Sequence, residues 1–330
     1  MAGNTATRTY TIKKRKIPKV GEIVNYTPNT PSTGYDLSEA KSGSLSAQTI
    51  DGAYDPTTWK IMEVDENGNI TKLFGVPSNS QSSVTFRGST GYNNGVYLLN
   101  DICKSRYGNA SLGATARSLN IEDIESRMNA TGIAARNAYT DGTVQYGTTR
   151  KYTGSNAKYP AIYSQEKYSG VDVSDVADGT QVIAGSVDTT AQARMNPNGK
   201  SGSDNIYTTL PETSETTGPS KTNLTCTQTC YEGSQSSSYF DDSNFYNMIF
   251  GTGTNFWLAS RCVIYDSNNS RASFGLRSVN RSHLSGSNLF LSNGSSYDHY
   301  GRLGPVVSLR SGIQVKSGSG TESDPYVLGK

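Results

Sequence analysis

Between residues 255 and 310 the chain contains no Lys, Glu, Gln or Met, although the remainder of the chain uses all four freely. The same window is rich in Ser, Asn, Gly, Arg and Tyr, and it holds both histidines of the chain, His283 and His299. A codon AAY that is randomised at its adenines encodes Asn, Asp, His, Tyr, Ser, Gly, Arg and several other residues, but never Lys, Glu, Gln, Met or Trp. The composition therefore indicates a surface that is varied through its codons on a fixed scaffold.

A simpler interpretation of the window stands beside this one. Ser, Asn and Gly favour turns, and they abound in any β domain that is rich in loops. The tryptophan of the window, Trp257, lies in an apolar run that is typical of a framework strand. On the simpler interpretation the window is a set of ordinary connecting loops.

The length of 330 residues suits one large domain with an insertion, or two domains. A formal net charge of +2 gives no electrostatic reason to predict binding to nucleic acid. No segment approaches the roughly 20 apolar residues of a membrane span, and residues 1–20 show no apolar region typical of a signal peptide. Residues 1–19, with the run KKRK at 13–16, are predicted to form an extended basic arm, which is either a solvated tail or a docking segment.

Hydrophobic periodicity predicts an α+β domain. Two helices are expected at 95–107 and 121–128, the second with Asn120 as its N-cap, and a short helix is expected at 243–250. The turn Asn67-Gly68 predicts a hairpin between strands 59–64 and 70–74. Further strands are predicted at 22–26, 256–260, 273–279, 288–292, 305–309 and 326–328. Residues that repeat at helical spacing are expected in the core, namely Val96, Leu99, Cys103, Tyr107, Ile121, Ile124 and Met128.

Residues 149–222 lack periodicity and are rich in Thr, Ser, Gly and Asp, which predicts a long irregular insertion with short strands at most. At its end, Cys226 and Cys230 are close enough in sequence to form a disulfide in an irregular loop. They are alternatively two of four zinc ligands, but both histidines are distant in sequence, and no metal site is predicted. Cys262 lies inside the window, where Cys is one product of a randomised AAY codon.

Several runs of the chain resemble a known family. They are FWLASR at 256–261, FGLR at 274–277, RLGPVVSL at 302–309, NGVYLLNDIC at 94–103, SLGATARSL at 111–119 and KVGEIVNY at 19–26. Together they resemble the variable proteins of diversity-generating retroelements from Firmicutes and their phages, whose C-type-lectin-like fold is related to formylglycine-generating-enzyme domains. The resemblance implies a C-type-lectin-like domain over residues 20–330, with two helices, short antiparallel strands, the insertion and a variable ligand-binding region at 255–304.

In such proteins, reverse transcription that is error-prone at adenines rewrites the C-terminal coding region, and varied side chains stand on a rigid sheet. The framework expected here is Trp257, Leu258, Phe274, Leu276, Val279, Leu284, Leu289, Phe290 and Val306. The displayed, ligand-binding set expected here is Tyr265, Asp266, Asn268, Asn269, Arg271, Asn280, Arg281, Ser282, His283, Ser285, Asn288, Asn293, Tyr297, Asp298, His299 and Tyr300. Because Tyr and Arg dominate binding hot spots, the anchors expected are Tyr265, Tyr297, Tyr300, Arg271 and Arg281.

Some relatives begin with a pilin-like membrane segment, which this chain lacks, so a virion-associated or released, extracellular form is expected. Calcium-dependent lectins carry a Glu-Pro-Asn or Gln-Pro-Asn run with a Trp-Asn-Asp run, and neither run occurs here. No calcium site or other cofactor is therefore predicted. The expected partner is a protein or glycan receptor on a bacterial surface, with docking of the basic arm to a particle or pilus and homo-oligomers left open.

The residues bear on two other functions. An enzyme is not expected, because no nucleophile–base pair, paired carboxylates or Gly-rich phosphate loop stands out and both histidines lie in the varied window. The stronger alternative is a structural surface or virion protein, pilus-like or a decoration, without a diversified site. Such a protein would not need Asn, Tyr, Ser and Arg concentrated on one exposed face.

Overall fold

The computed structural model describes residues 17–37, 48–158, 220–266 and 271–330, and these residues form a mixed α+β fold with mostly strands. The basic arm predicted at 1–19 lies outside this part of the chain, except for its last residues. The helices of the described part are α1 (Gly88–Tyr107), α2 (Ile121–Glu125), α3 (Ala130–Ala138) and α4 (Ser243–Phe250). The α+β class is confirmed. The two helices and the short helix expected from the sequence are present as α1, α2 and α4, whereas α3 adds a helix that was not expected.

The strands up to the insertion are β1 (Ile23–Asn25), β2 (Tyr35–Asp36), β3 (Thr49–Ile50), β4 (Thr58–Val64), β5 (Ile70–Val76), β6 (Val84–Arg87), β7 (Thr115–Ser118), β8 (Thr140–Asp141) and β9 (Val144–Gln145). The strands after that point are β10 (Thr149–Lys158), β11 (Ser220–Thr227), β12 (Gly233–Ser234), β13 (Asn255–Asp266), β14 (Arg271–Asn280), β15 (His283–Leu291), β16 (Asp298–Gly301), β17 (Pro305–Ser308), β18 (Gln314–Ser317) and β19 (Tyr326–Gly329). Every strand predicted from the sequence is present, and β13, β14 and β15 are longer than predicted.

The largest sheet has seven strands in the order β18-β19-β1-β4-β5-β17-β7. Its β4–β5 hairpin turns at Asn67-Gly68 as predicted, with Gly68 at a φ of +77° and Asp65 bonded to Asn69 through both backbone and side chain. Strand β1 pairs in parallel with β19, so the first and last described strands of the chain are neighbours. The two ends of the described chain therefore meet in one sheet, and the window strands lie between them in sequence.

Helix α1 crosses the centre of the fold and packs on the window strands. Its predicted core residues are all buried, as are those predicted for the segment around α2. A β-carbon added at Gly95 would lie 2.3 Å from Leu276 Cδ1, so the helix backbone approaches β14 closely. The helix begins at Gly88, seven residues before the predicted start at 95. The sequence did not predict this first turn, Gly-Ser-Thr-Gly, because it consists of weak helix formers.

Of two neighbouring short helices, α2 could be predicted from the local sequence and α3 could not. Helix α2 begins as predicted, because the Asn120 side chain accepts from the Asp123 backbone and the Asp123 side chain accepts in return. Helix α3 was not predicted. Only Gly132 of that helix is fully buried, so its sequence lacks the apolar stripe that reveals an amphipathic helix. Its N-cap, Asn129, accepts from the backbone N–H groups of Thr131 and Gly132.

The predicted irregular insertion is bounded by regular structure. Strand β10 has ten residues and pairs antiparallel with the eight residues of β11, so the expectation of short strands at most is wrong at both ends. These two strands form a sheet of their own. A ribbon of this kind needs no apolar face, and its sequence consequently lacks the alternation by which strands are recognised. The middle of the predicted insertion lies outside the described residues.

The window forms most of a second sheet, with the order β12-β15-β14-β13. One face of this sheet packs into the main core with α1, through residues such as Val263, Phe274 and Leu289. The framework predicted from the sequence is confirmed, because all nine residues are 0–1% exposed. Trp257 is fixed further by a 2.8 Å hydrogen bond from its Nε1 to the backbone carbonyl of Val84.

Candidate functional site

A cavity of about 290 Å³ opens at the end of the second sheet, where β13 ends at Asp266 and β14 begins at Arg271. Four residues of the displayed set line it, namely Arg271, Asn288, Tyr297 and His299. The remaining lining residues are Asp141, Glu232, Ile264, Ser273 and Leu291. We refer to this cavity as the window pocket.

A β-bulge places Asn288 in the window pocket. Phe274 pairs with Phe290 but Gly275 pairs with Asn288, so β15 carries one extra residue, Leu289, at this point. The bulge allows Leu289 and Phe290 to be buried together while Asn288 stays exposed. The hydroxyl of Ser273 donates a 2.6 Å hydrogen bond to Oδ1 of Asn288, which fixes the amide in the pocket wall.

His299 enters the window pocket from β16, where it pairs with Phe86 of β6. Burial lowers the pKa of His299, and a hydrogen bond to the backbone of Asn288 and the charge of Asp298 act in the opposite direction. The net shift is downward, so the imidazole is neutral at neutral pH. It therefore offers the pocket a polar contact and no positive charge under these conditions.

Strand β16 and Tyr297, the residue before it, carry exposed aromatic and charged groups, and of these Tyr297 lines the window pocket. Tyr297 is 46% exposed and Tyr300 is 64% exposed, which is unusual for large side chains in this fold. Asp298 lies opposite Arg87 in the pairing of β16 with β6, and its carboxylate forms an ion pair with the Arg87 guanidinium at 2.7 Å. Both members are partly exposed, so this ion pair contributes about 1 kcal/mol or less. It links β16 to β6 at the Asp298–Arg87 position of their pairing.

Two acidic residues of the window pocket come from outside the window. Asp141 lies at the β8–β9 turn, next to Gly142 at a φ of +57°, and Glu232 lies just before β12. The Gly286 backbone N–H donates a 2.8 Å hydrogen bond to Oε1 of Glu232. Burial raises the pKa of Glu232, and the charge of Asp141 adds to this rise. The sequence reasoning missed both residues; the Asp-Gly turn was the only available signal, and Glu232 had none.

A second group of predicted residues lies at the opposite end of the sheet. Asn280, Arg281, Ser282 and His283 form the β14–β15 turn, which we call the tip. Nine residue-to-residue steps lead from Arg271 to Asn280 along β14, so about 30 Å of extended strand separates the two groups. Ser285, opposite Ser278 on β15, is half-buried. The structure thus divides the predicted set between two surfaces.

The tip is held by bonds to neighbouring segments. The Arg281 N–H donates to the Thr254 carbonyl at 3.0 Å, and Nε2 of His283 lies 2.7 Å from Oγ of Ser234. Arg281 has a φ of +56°, the left-handed region that side chains other than Gly and Asn rarely adopt. Asn293 lies beyond the other end of β15, in the following turn, where its Oδ1 accepts from the Ser295 N–H at 3.0 Å. These residues are exposed but locally constrained.

Four predicted residues cannot be placed by their side chains. Asn268 and Asn269 lie outside the described residues. Tyr265 and Asp266 belong to the last residues of β13, and their side chains also lie outside the description. Of the remaining twelve predicted residues, eight are exposed, four are half-buried and none is buried.

The sequence left open whether Cys226 and Cys230 form a disulfide. Cys230 is a free thiol, fully buried beside Cys262 and Ile264. Cys226 lies on β11, where it pairs with Arg150, and Cys230 follows the end of that strand. Cys103 is a buried core residue as predicted, and Cys262 is likewise buried rather than displayed.

Within the described ranges, no group of three or more His, Cys, Asp or Glu residues is placed to hold a metal ion. Across the same residues, no helix has both the length and the apolar character needed to cross a membrane. In comparisons with known proteins, the chain matches no family model, no curated protein and no solved structure.

Proposed function

We propose that this protein is a hypervariable ligand- or receptor-binding protein, in which a C-type-lectin-like scaffold displays residues diversified at adenines. The observation that carries the proposal is the division of the window into two classes of residue. The nine predicted framework residues are 0–1% exposed, whereas none of the twelve described residues of the displayed set is buried. Codon-directed variation is tolerated only where side chains leave the core, because core substitutions commonly cost several kcal/mol, about 2–5 for large-to-small changes.

The motifs that resemble retroelement variable proteins support the scaffold part of the proposal. The run FWLASR forms the buried start of β13, FGLR forms the centre of β14, and the run at 302–309 contains β17. These strands connect the varied sheet to the seven-stranded sheet, since Arg302 bonds Asn255 and Trp257 while β17 pairs with β5 and β7. The invariant part of such a protein would need these connections to hold the varied part in place.

The window pocket is the better of the two surfaces for a ligand. It is concave, and it combines the rim aromatic Tyr297 with hydrogen-bonding groups from Asn288, Arg271 and His299. Exposed tyrosines provide contact area with few torsions to freeze, and amides and hydroxyls supply adaptable hydrogen bonds. At the tip, by contrast, His283 and Arg281 already bond to the fold. We therefore assign primary binding to the pocket and its rim.

We propose that the partner is a protein or glycan receptor on a bacterial surface, that the protein acts outside the cell or on a virion in phage–host or cell-surface attachment, and that binding rather than catalysis is its role. The direct test is a pair of displayed libraries selected on whole bacteria of several strains. One library carries AAY-derived mixtures at Arg271, Asn288, Tyr297 and Tyr300. The matched control carries the same mixtures at four exposed β positions outside the window, namely Gln314, Lys316, Ser317 and Val327.

The proposal predicts that binders are enriched from the window library and not from the control library. Both libraries must first be shown to be folded, by protease resistance of the displayed protein. Equal enrichment from both libraries, or none from a folded window library, would contradict a dedicated binding surface. The structural alternative would then account better for the protein.

A further inference from the structure

The sulfur atoms of Cys230 and Cys262 lie side by side in the small cluster that the two residues form with Ile264, and both residues are fully buried. Their thiols are within hydrogen-bonding reach of each other. A β-carbon added at Gly286 would lie 2.3 Å from the sulfur of Cys230 and 2.6 Å from the sulfur of Cys262. The glycine at position 286 therefore provides the space that the sulfur pair occupies.

The fold holds these cysteines together although they are distant in sequence. Cys262 lies on β13 inside the window, and Cys230 lies in the segment that follows β11. The N–H groups of Thr229 and Cys230 donate to the Val263 carbonyl at 3.0 and 3.2 Å, and the Val263 N–H donates to Oγ1 of Thr229 at 2.9 Å. This short backbone pairing sets the sulfur atoms against each other.

We propose that Cys230 and Cys262 form a disulfide bond when the protein folds in an oxidising compartment; the structure represents the dithiol form. The oxidant is a low-molecular-weight disulfide such as glutathione disulfide. The thiolate of one cysteine attacks it, a mixed disulfide forms and one glutathione leaves as a thiol. The second cysteine then displaces the second glutathione, so two thiols lose two protons and two electrons and glutathione disulfide gains them.

The surroundings of the pair indicate when this reaction occurs. Burial raises the pKa of the Cys230 thiol well above its usual range, and the nearby Arg277 guanidinium only partly opposes this rise. The thiolate needed for exchange is therefore disfavoured once Cys230 is docked, so oxidation precedes docking of the segment or follows its transient opening. After docking, the same burial shields the disulfide from reductants.

The bond would have a defined mechanical effect on the window pocket. It would join β13 covalently to the segment that carries Glu232, two residues beyond Cys230, and Glu232 lines the pocket. It would also close a loop that contains α4. This inference concerns the covalent structure of the chain and does not depend on the proposed binding function.

The test starts from reduced, denatured full-length protein, refolded in a glutathione redox buffer. Free thiols are alkylated in guanidinium, and the protein is digested and mapped by mass spectrometry without reductant. We expect a linked pair of peptides that contain Cys230 and Cys262, with Cys103 and Cys226 alkylated. The oxidised protein should melt about 5 °C above the reduced protein, because the cross-link restricts the unfolded chain.

Matched variants make the assignment specific. In Cys262→Ala the redox-dependent difference in melting temperature should vanish, whereas Cys226→Ala should retain it. Folded, oxidised protein in which Cys230 and Cys262 are both alkylated, or in which Cys230 is linked to Cys226, would overturn the proposal. If Cys262→Ala does not fold, the peptide map of the unaltered protein decides the question alone.

Discussion

The backbone N–H of Gly286 donates a 2.8 Å hydrogen bond to Oε1 of Glu232, and this bond joins the centre of a window strand to a carboxylate from outside the window. Glu232 lines the window pocket together with Arg271, Asn288 and His299. One wall of the pocket is therefore independent of any variation within residues 255–304. If the window varies, the two acidic residues of that wall, Glu232 and Asp141, remain common to all variants.

Replacing Glu232 with Gln should stabilise the protein at neutral pH. The amide keeps an oxygen to accept from Gly286 but carries no charge to be desolvated. Burial raises the pKa of Glu232. The contribution of this carboxyl group to native stability is therefore fully present below the unfolded pKa of about 4.3 and is lost as the pH rises through the folded pKa. The gain in unfolding free energy from Glu232→Gln should therefore be larger at pH 7 than at pH 4 in urea titrations.

The matched control for this change is Glu66→Gln, on the exposed β4–β5 turn. A Glu232→Gln protein that is less stable than the native protein at pH 7 would show that the carboxylate charge is compensated within the pocket. The desolvation account of the pocket wall would then be incorrect.

Arg281→Asn should stabilise the tip. Arg281 has a φ of +56°, and this region costs most side chains about 1 kcal/mol but is accessible to Asn and Gly. We expect an increase of up to about 1 kcal/mol in unfolding free energy for Arg281→Asn. The control Arg281→Ala removes the same side chain but keeps the strain, so it should show no comparable gain. Equal effects of Asn and Ala would argue against strain at this position.

Gly286→Ala should destabilise the protein by about 1–3 kcal/mol, because a methyl group would overlap the sulfur atoms of Cys230 and Cys262. Thermal or denaturant unfolding measures this loss. The control is Gly52→Ala, where an added β-carbon meets no atom within 4 Å. A Gly286→Ala protein as stable as the control would mean that the sulfur pair is not packed as described.

His299 should make the stability of the protein depend on pH in the mildly acidic range. Its folded pKa lies below the unfolded value of about 6.5, so the folded state resists protonation and stability is lost as the pH falls from 7 through the folded pKa. His299→Gln should flatten this part of the curve of unfolding free energy against pH. Comparison with His283→Gln separates the two histidines of the chain, and an unchanged slope in His299→Gln would contradict the assignment.

The framework could be predicted from the sequence because large apolar residues such as Trp257 and Phe274 recur along the window strands. The division of the displayed set could not, because it depends on the antiparallel register that places Asn280 opposite His283 and Ser273 opposite Leu291. A single sequence contains no signal for that register.

The acidic wall of the pocket, formed by Glu232 and Asp141, could not be predicted from the sequence for a related reason. Glu232 reaches the pocket only because β12 pairs with β15, and the contact spans more than fifty residues of chain. Helix α3 and the β10–β11 ribbon were missed because neither needs a broad apolar face. Local pattern therefore identified the elements that build the core, whereas long-range pairing determined the site.

The central claim is that residues 255–304 are diversified at adenines on a fixed scaffold, and the most direct measurement is deep sequencing of the 3′ end of the gene in its native population, with the flanking DNA. The account predicts substitutions at adenine-derived codon positions that spare the buried framework, such as Trp257 and Leu276, and change exposed positions such as Tyr297 and Asn288. A near-copy template and a reverse transcriptase gene should lie nearby. Uniform variation that ignores codon and burial, with no template, would contradict the account.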